Sequence, residues 1–176
     1  MPSESELVAT ERLRNLTKLT GDIEVDALKN LQLMLYDKMK TDDKFKTKAI
    51  EIYDVNPDII PRFPAVCLEL TGSNNRRRTM GHDFATFQRD VFIDVWYYHA
   101  DVSEKFNSSE VIVNMSRIIS IIQRNGNING YCRMGVRLEG ETSIIDKIFS
   151  SKIVRGAKIS LMIPILYRDR SADLGP

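Results

Sequence analysis

The sequence is poor in cysteine, in histidine and in net charge. Its 176 residues include two cysteines and two histidines, and 25 basic residues against 24 acidic ones leave a net charge of +1. A disulfide-stapled scaffold of this size would contain more cysteines, so Cys67 and Cys132 are predicted to be buried free thiols. A dedicated DNA-binding domain is usually far more basic, so any nucleic-acid role is confined to a local patch.

Long apolar runs are absent as well. No stretch approaches the roughly 18 apolar residues of a membrane span, and the N-terminal sequence MPSESELVATERLR lacks the apolar centre of a signal peptide. We expect no membrane contact, and synthesis in the cytoplasm. The apolar share of 43% and the charged share of 28% are ordinary for a globular domain. The chain is long enough to bury one hydrophobic core.

Signatures of catalysis and of cofactor binding are also missing. The chain contains no GxxxxGKS/T phosphate loop, no GxGxxG turn and no HxxxH or CxxC metal pattern. A small metal-dependent nuclease would carry an acid–x–Lys pattern on a strand, but the segments that begin at Glu69 and Asp94 lack that lysine. We therefore predict no enzymatic activity, no metal and no cofactor.

Two helices are predicted from apolar residues that recur at helical spacing, one at 24–40 and one at 108–124. Asn107 and Glu110 have the spacing of a capping pair at the start of the second helix, and Gly126 is placed to end it in the left-handed conformation. The apolar stripes are interpreted as core positions. They consist of Leu28, Leu31, Leu35 and Met39 in the first helix, and of Val111, Met115, Ile118 and Ile122 in the second.

Alternating apolar and polar residues predict strands, which are joined by polar connections. Ile50 and Ile52 hint at a further short strand, and Pro57, Pro61 and Pro64 predict an extended connector. Pro164 indicates an edge position or a bulge within the last strand. The predicted strands are 65–71, 87–99, 131–138 and 153–168, with a loop at 72–86 and a polar excursion at 139–152.

The resulting order α-β-β-α-β-β predicts an α+β fold, with a mainly antiparallel sheet and helices packed on one face. Residues 22–168 are predicted to form this single domain. Residues 1–21 are predicted to form an N-terminal arm or short helix, and residues 169–176 a flexible tail.

The strand at 87–99 carries large apolar side chains on both faces. One face has Val91, Ile93, Val95 and Tyr97, which a helix of the same chain would cover. The other face has Phe92, Trp96 and Tyr98, which we interpret as a possible contact with a neighbouring subunit. Asp94 shares this second face and is expected to pair with an arginine across the sheet, either Arg133 or Arg137.

Three consecutive arginines, Arg76, Arg77 and Arg78, precede this strand and are followed by Met80 and Phe84. A solvated loop that only keeps the protein soluble is one interpretation. Basic residues interleaved with aromatic ones can also bind single-stranded nucleic acid, or anchor a protein interface. The near-zero net charge favours the protein interface.

The layout resembles that of a known family. The strand entry Phe63-Pro64-Ala65-Val66, the strong strand RDVFIDVWYY, an Asn-Gly turn after an amphipathic helix and the closing strand AKISLMIPILYR occur in this order. Over residues 24–168 they resemble the tail terminator proteins of tailed bacteriophages and the related tail-completion and neck proteins.

The resemblance implies a structural virion protein that forms a hexameric ring. Such a ring caps the tail tube, terminates its polymerisation and provides the surface for head–tail joining. The implied partners are further copies of the chain, the tail tube protein, a neck or connector protein and, in contractile tails, the sheath protein. Genomic DNA would pass through the lumen without specific binding. The expected location is the virion, with assembly in the host cytoplasm.

Within such a ring, we expect the loop 72–86 to project from the subunit. Arg76, Arg77 and Arg78 would then meet acidic groups on the tube or on a neighbour, or face the DNA. Another neck or head-completion ring protein is an alternative. A nucleic-acid-binding module that uses residues 72–90 is a further one.

Overall fold

A computed structural model describes residues 22–46, 50–60, 62–80, 85–99, 108–149 and 152–168. The predicted arm 1–21 and tail 169–176, together with His82, Phe84 and Asn107, lie outside these residues. The described part contains two helices and five strands, which confirms the α+β class. In chain order these elements are α1 (Ile23–Thr41), β1 (Glu51–Tyr53), β2 (Ala65–Met80), β3 (Ala85–Tyr98), α2 (Ser108–Arg124), β4 (Arg137–Phe149) and β5 (Lys152–Arg168).

The strands form one sheet in the order β1-β2-β3-β5-β4. The sheet is mixed, because β1 pairs in parallel with β2 while the other three pairs are antiparallel. The predicted order α-β-β-α-β-β lacked β1, although the short strand suggested by Ile50 and Ile52 corresponds to it. Strand β1 has only three residues, too few for an alternation pattern to be distinctive.

The predicted loop 72–86 is wrong, because β2 continues through this region to Met80 and β3 already begins at Ala85. The two strands pair along their whole length, with register shifts between Leu70 and Gly72 and between Arg77 and Thr79. The side chains at 73–76 are exposed. Without burial on either face, the strand shows none of the apolar alternation on which the prediction relied.

The predicted strand 131–138 and the excursion 139–152 also need correction. Residues 131–136 contain turns and no strand. Strand β4 occupies most of the segment 139–152 that was predicted to be a polar excursion. The turns are held by backbone bonds, in which the Cys132 N–H donates to the Asn127 carbonyl and the Val136 N–H to that of Gly126. The left-handed conformation predicted at Gly126 occurs instead at Ile128, Asn129 and Gly130.

Both predicted helices are present, and their apolar stripes pack on the same face of the sheet. Asp22 caps α1 by accepting hydrogen bonds from the N–H groups of Glu24 and Val25. Helix α1 packs on β1, β2 and β3, while α2 packs on β3 and β5. The main core includes Leu31, Leu35, Met115, Ile118 and Ile122 from the helices, and Val91, Ile93, Val95 and Tyr97 from β3.

A second, smaller cluster covers the opposite face at one end of the sheet. Tyr98 and Phe149 form its centre, with ring centroids 5.1 Å apart in an edge-to-face arrangement. The proline-rich connector contributes Ile60 and Phe63. This connector therefore acts as a cover for part of the sheet and carries the chain from β1 to its parallel neighbour β2.

Pro164 lies at a local edge inside the sheet. Strand β5 is an interior strand between β3 and β4, but its pairing with β4 reaches only to Met162. Beyond that point Pro164 pairs with Asp90 of β3 alone, and its carbonyl accepts a hydrogen bond from the Cys132 thiol at 3.3 Å. A proline is tolerated here because no strand on the β4 side requires its missing N–H.

The two cysteines are both buried and both free, as predicted. Of the helices in the described ranges, none is long and apolar enough to span a membrane.

Candidate interaction surface

The face of the sheet opposite the two helices, here called the open face, carries the aromatic side chains predicted for subunit contacts. Phe92 and Trp96 are partly buried there, whereas Tyr98 is fully buried inside the subunit. Trp96 and Tyr98 lie nearly parallel, with ring centroids 6.2 Å apart. Phe92 and Trp96 are thus the two of the three that retain exposed surface.

Polar groups hold these aromatic side chains in position. The Trp96 indole N–H donates to Glu69 at 3.0 Å, and the Tyr98 hydroxyl donates to the Asn56 amide oxygen at 2.9 Å. The same amide oxygen accepts a hydrogen bond from the Lys147 ammonium at 3.2 Å. Burial raises the pKa of Tyr98 well above its ordinary value, so the hydroxyl stays protonated and remains a donor.

Asp94 pairs with a lysine, and the predicted arginine partner is wrong. The Lys158 ammonium lies 2.5 Å from Asp94 Oδ2, and the Ser160 hydroxyl donates to Oδ1 at 2.6 Å. Both partners come from β5, where Ser160 is directly opposite Asp94. Lys158 also lies 4.8 Å from the centre of the Trp96 ring. Finding this lysine required the strand register, which the alternation pattern does not specify.

Glu69 and Asp94 are directly opposite each other on β2 and β3. Their carboxylates nevertheless bind different partners, Trp96 in one case and Lys158 with Ser160 in the other. Across the residues that the structure describes, no cluster of three or more His, Cys, Asp or Glu side chains could hold a metal ion. A nuclease-like site would need a lysine near these carboxylates. Lys158 does lie beside Asp94, but it forms an ion pair with it.

The far end of the β2–β3 hairpin places Arg76 on the open face. Its side chain is 62% exposed, and its Nε lies 3.0 Å from Oδ2 of Asp90, a side chain only 1% exposed. The Arg76 N–H does not point at this oxygen, so the contact is an ion pair without the geometry of a hydrogen bond. Gln88 donates a hydrogen bond to the other oxygen of Asp90.

The opposite face of this hairpin end is tied to helix α1. Arg89 pairs with Glu24 at 2.9 Å and donates through Nε to Asn75 at 2.6 Å. Ser73 donates to the same glutamate at 2.7 Å. At this hairpin end, Arg76 and Arg89 each face a carboxylate of the same subunit. This reduces the positive charge that is available to bind a phosphate backbone.

The remaining residues of the predicted contact are only partly defined. The strand positions of Arg77, Arg78 and Met80 are within β2, but their side chains lie outside the described part of the structure, as does the whole of Phe84. Phe87, from the same segment, stacks on Tyr167 of β5 with ring centroids 5.7 Å apart. That ring supports the hairpin from within the subunit.

His99, one of the two histidines, belongs to a hydrogen-bonded chain beneath α2. The Asn114 amide donates to the Tyr97 hydroxyl at 3.0 Å, and this hydroxyl lies 2.9 Å from His99 Nδ1. The other ring nitrogen of His99 is 4.0 Å from Glu110. The chain connects the start of α2 to the end of β3, which is a structural role.

Comparison with models of known protein families gives no match, and no curated protein matches the sequence.

Proposed function

We propose that this chain is a structural protein of a tailed-phage virion, and that its copies assemble into a hexameric ring which caps the tail tube. The observation that carries the proposal is the open face of the sheet. Phe92 and Trp96 keep exposed aromatic surface there, on the face opposite both helices. Aromatic residues are enriched at protein interfaces, where they supply a large apolar area and, for Trp, a polar group.

The order of elements supports the same function. It resembles the layout of the tail terminator family, apart from the short strand β1. The polar clusters on the open face also fit a structural role, because the ion pair of Asp94 with Lys158 and the bond from Trp96 to Glu69 join strands within the subunit. In this function the ring ends tube polymerisation and receives the head-side connector.

The partners in this proposal are copies of the chain, the tail tube, a neck or connector protein and, for a contractile tail, the sheath. The β2–β3 hairpin end is the segment assigned to contacts outside the subunit core. Arg76 is suited to this, because one edge of its guanidinium faces Asp90 while the side chain stays largely exposed. A guanidinium has five N–H donors, so a second carboxylate can bind the remaining ones.

Light scattering of the purified protein, with negative-stain images of the same sample, tests the proposal. The protein is measured alone and after mixing with tail tubes of its parent phage. We expect a mass six times the 20.2 kDa of the chain, or a monomer that becomes a ring on tube ends. A ring that does not bind tail tubes but binds the head-side connector would identify a neck or head-completion protein instead.

A protein that stays monomeric with tubes and binds DNA would overturn the proposal. Binding by a nucleic-acid module would weaken steeply with salt, and the double variant Arg77→Ala/Arg78→Ala would reduce it. In the ring function the same double variant leaves folding and DNA affinity unchanged and lowers the yield of completed tails. Arg76 is kept in this variant because it neutralises the buried Asp90.

A further inference from the structure

Among the strands that the structure describes, the sheet has two long edges without a strand partner. Strand β1 pairs only with the first three residues of β2. None of the described strands lies on the outer side of residues 68–80. We call this segment the β2 edge. At the other side of the sheet β4 is the last strand, and its outer side, the β4 edge, is unpaired in the described part of the chain.

The two edges match in length and direction. Strand β2 has 16 residues, of which three pair with β1, and the remaining 13 equal the 13 residues of β4. Strands β2 and β5 run one way and β3 and β4 the other. The β4 edge of one copy is therefore antiparallel to the β2 edge of an identically oriented neighbour, which permits a regular ladder.

The charges of the two edges are opposite. The β2 edge contains Arg76, Arg77 and Arg78, while the β4 edge contains Glu139 and Glu141, both exposed. If the strands are set flush, with Arg137 beside Met80 of the neighbour, Glu139 comes opposite Arg78 and Glu141 comes opposite Arg76. Arg76 and Glu139 both occupy the open face, because their partners Gln88 and Ser160 alternate in step with Asp94. Opposite charges on facing edges select the partner and the register.

An exposed apolar patch beside β4 fits the same neighbour. Ile144, Ile148 and Ile153 are 48%, 70% and 56% exposed. Ile144 is opposite the core residue Ala157, and Ile148 is opposite Ile153, so all three are on the helix-side face. Helix α1 packs on β1 and β2, so a neighbour whose β2 joins β4 would bring its α1 alongside this patch. Joining the strands would cover apolar surface and edge groups together.

From these observations we propose that copies of this chain join head to tail through β4 of one subunit and residues 68–80 of the next, forming a sheet that is continuous between subunits. The inference rests on the proposed function for self-assembly and deepens it by naming the interface. A contact between two different surface patches is the heterologous type, which closes into a ring when its rotation allows.

Cysteine cross-linking tests the register. Asn74→Cys is combined in turn with Glu141→Cys and Ser143→Cys, which are exposed positions of β2 and β4. The native cysteines are buried, and burial raises the pKa of Cys67 to about 12, so they resist a mild oxidant. We expect a ladder of cross-linked oligomers with at least one pair. The matched control combines Asn74→Cys with Ser116→Cys, an exposed position on α2, and should give no ladder.

A charge exchange tests the chemistry of the same interface. Arg78→Glu and Glu139→Arg should each weaken self-association about tenfold at low salt, because these two positions face each other in the flush register and would then carry like charges. Combining the two substitutions in one chain should restore the affinity of self-association to within about threefold of the original. Arg76 is again left in place, so that Asp90 remains neutralised and folding is preserved.

The outcomes separate the interface from the function. Assembled protein that shows no ladder with either cysteine pair overturns the strand join and leaves the ring proposal standing. A ladder that comes from open fibres, without rings, supports the join and overturns the ring. A chain that stays monomeric at every concentration and also on tail tubes overturns both the join and the ring.

Discussion

At the scale of single residues, the buried charges of the open face make specific demands on their partners. Asp94 is 9% exposed at its side chain and depends on Lys158 and Ser160 for compensation. Replacing Lys158 by Met leaves this carboxylate without its cation, and we expect a loss of about 2 kcal/mol in the free energy of unfolding, measured by urea denaturation.

The control for this change is Lys46→Met. Lys46 pairs with Asp43 at 2.7 Å, but both side chains are more than half exposed, and such pairs contribute little. We expect a change within about 0.5 kcal/mol. The double variant Lys158→Met/Asp94→Leu should recover most of the loss, because it removes the unpaired charge together with the lysine. Equal losses for Lys158→Met and Lys46→Met would contradict the role of Asp94.

Buried thiol and phenol groups predict alkaline instability. Burial raises the pKa of Cys67 from 9.0 to about 12 and that of Tyr131 from 10.0 to about 12. The unfolded chain therefore releases these protons at a lower pH than the folded chain does. The stabilisation is complete below about pH 9 and is lost as pH rises towards 12.

Urea denaturation between pH 8 and pH 11 measures this effect. The free energy of unfolding should fall as pH rises, and the slope should be smaller in Cys67→Ala, which lacks one of the titrating groups. A flat profile, or an unchanged slope in the variant, would contradict the assigned cause.

At the scale of elements, the sequence predicts what its own periodicity encodes. The stripe of Val111, Met115, Ile118 and Ile122 is fully buried, as the helical spacing requires. The outer half of β2 was missed because its strand state comes from pairing with β3, and its exposed side chains carry no alternation. The partner of Asp94 was missed for a related reason, since register between strands is a property of the fold.

Close contact between β3 and β5 gives a prediction for Gly156. A Cβ atom at this position would lie 2.4 Å from the Tyr97 carbonyl oxygen, so the backbone of one strand would have to move. We expect Gly156→Ala to lower the melting temperature strongly, with a cost of about 2–3 kcal/mol. Differential scanning calorimetry measures the change.

The matched variant is Gly140→Ala. A Cβ atom there meets nothing within 4 Å, but φ is +80°, in the left-handed region. The expected cost is about 1 kcal/mol, because the strain is conformational and not steric. A smaller loss for Gly156→Ala than for Gly140→Ala would show that the strands separate more easily than this packing implies.

At the scale of the whole molecule, the two most exposed large apolar side chains of the described residues lie at distinct places in the fold. Ile148 is 70% exposed on β4, and Ile59 is 68% exposed in the connector between β1 and β2. In the proposed assembly only the first is covered by a neighbour. In a single subunit the exposed fractions of the two side chains are therefore nearly equal. Only in the assembled protein would they differ.

This difference makes charge substitutions at Ile148 and Ile59 a test of the assembly as a whole. Both Ile148→Glu and Ile59→Glu should change the free energy of unfolding by less than about 0.5 kcal/mol, because each side chain is mostly in water in the monomer. Ile148→Glu should block self-association, since burying an unpaired carboxylate at an interface is costly, and Ile59→Glu should leave association unchanged. Sedimentation velocity of the two variants at equal concentration measures the outcome. Association that survives Ile148→Glu and fails with Ile59→Glu would move the subunit contact to the connector side of the sheet, and the β4 edge would then face solvent in the assembled protein.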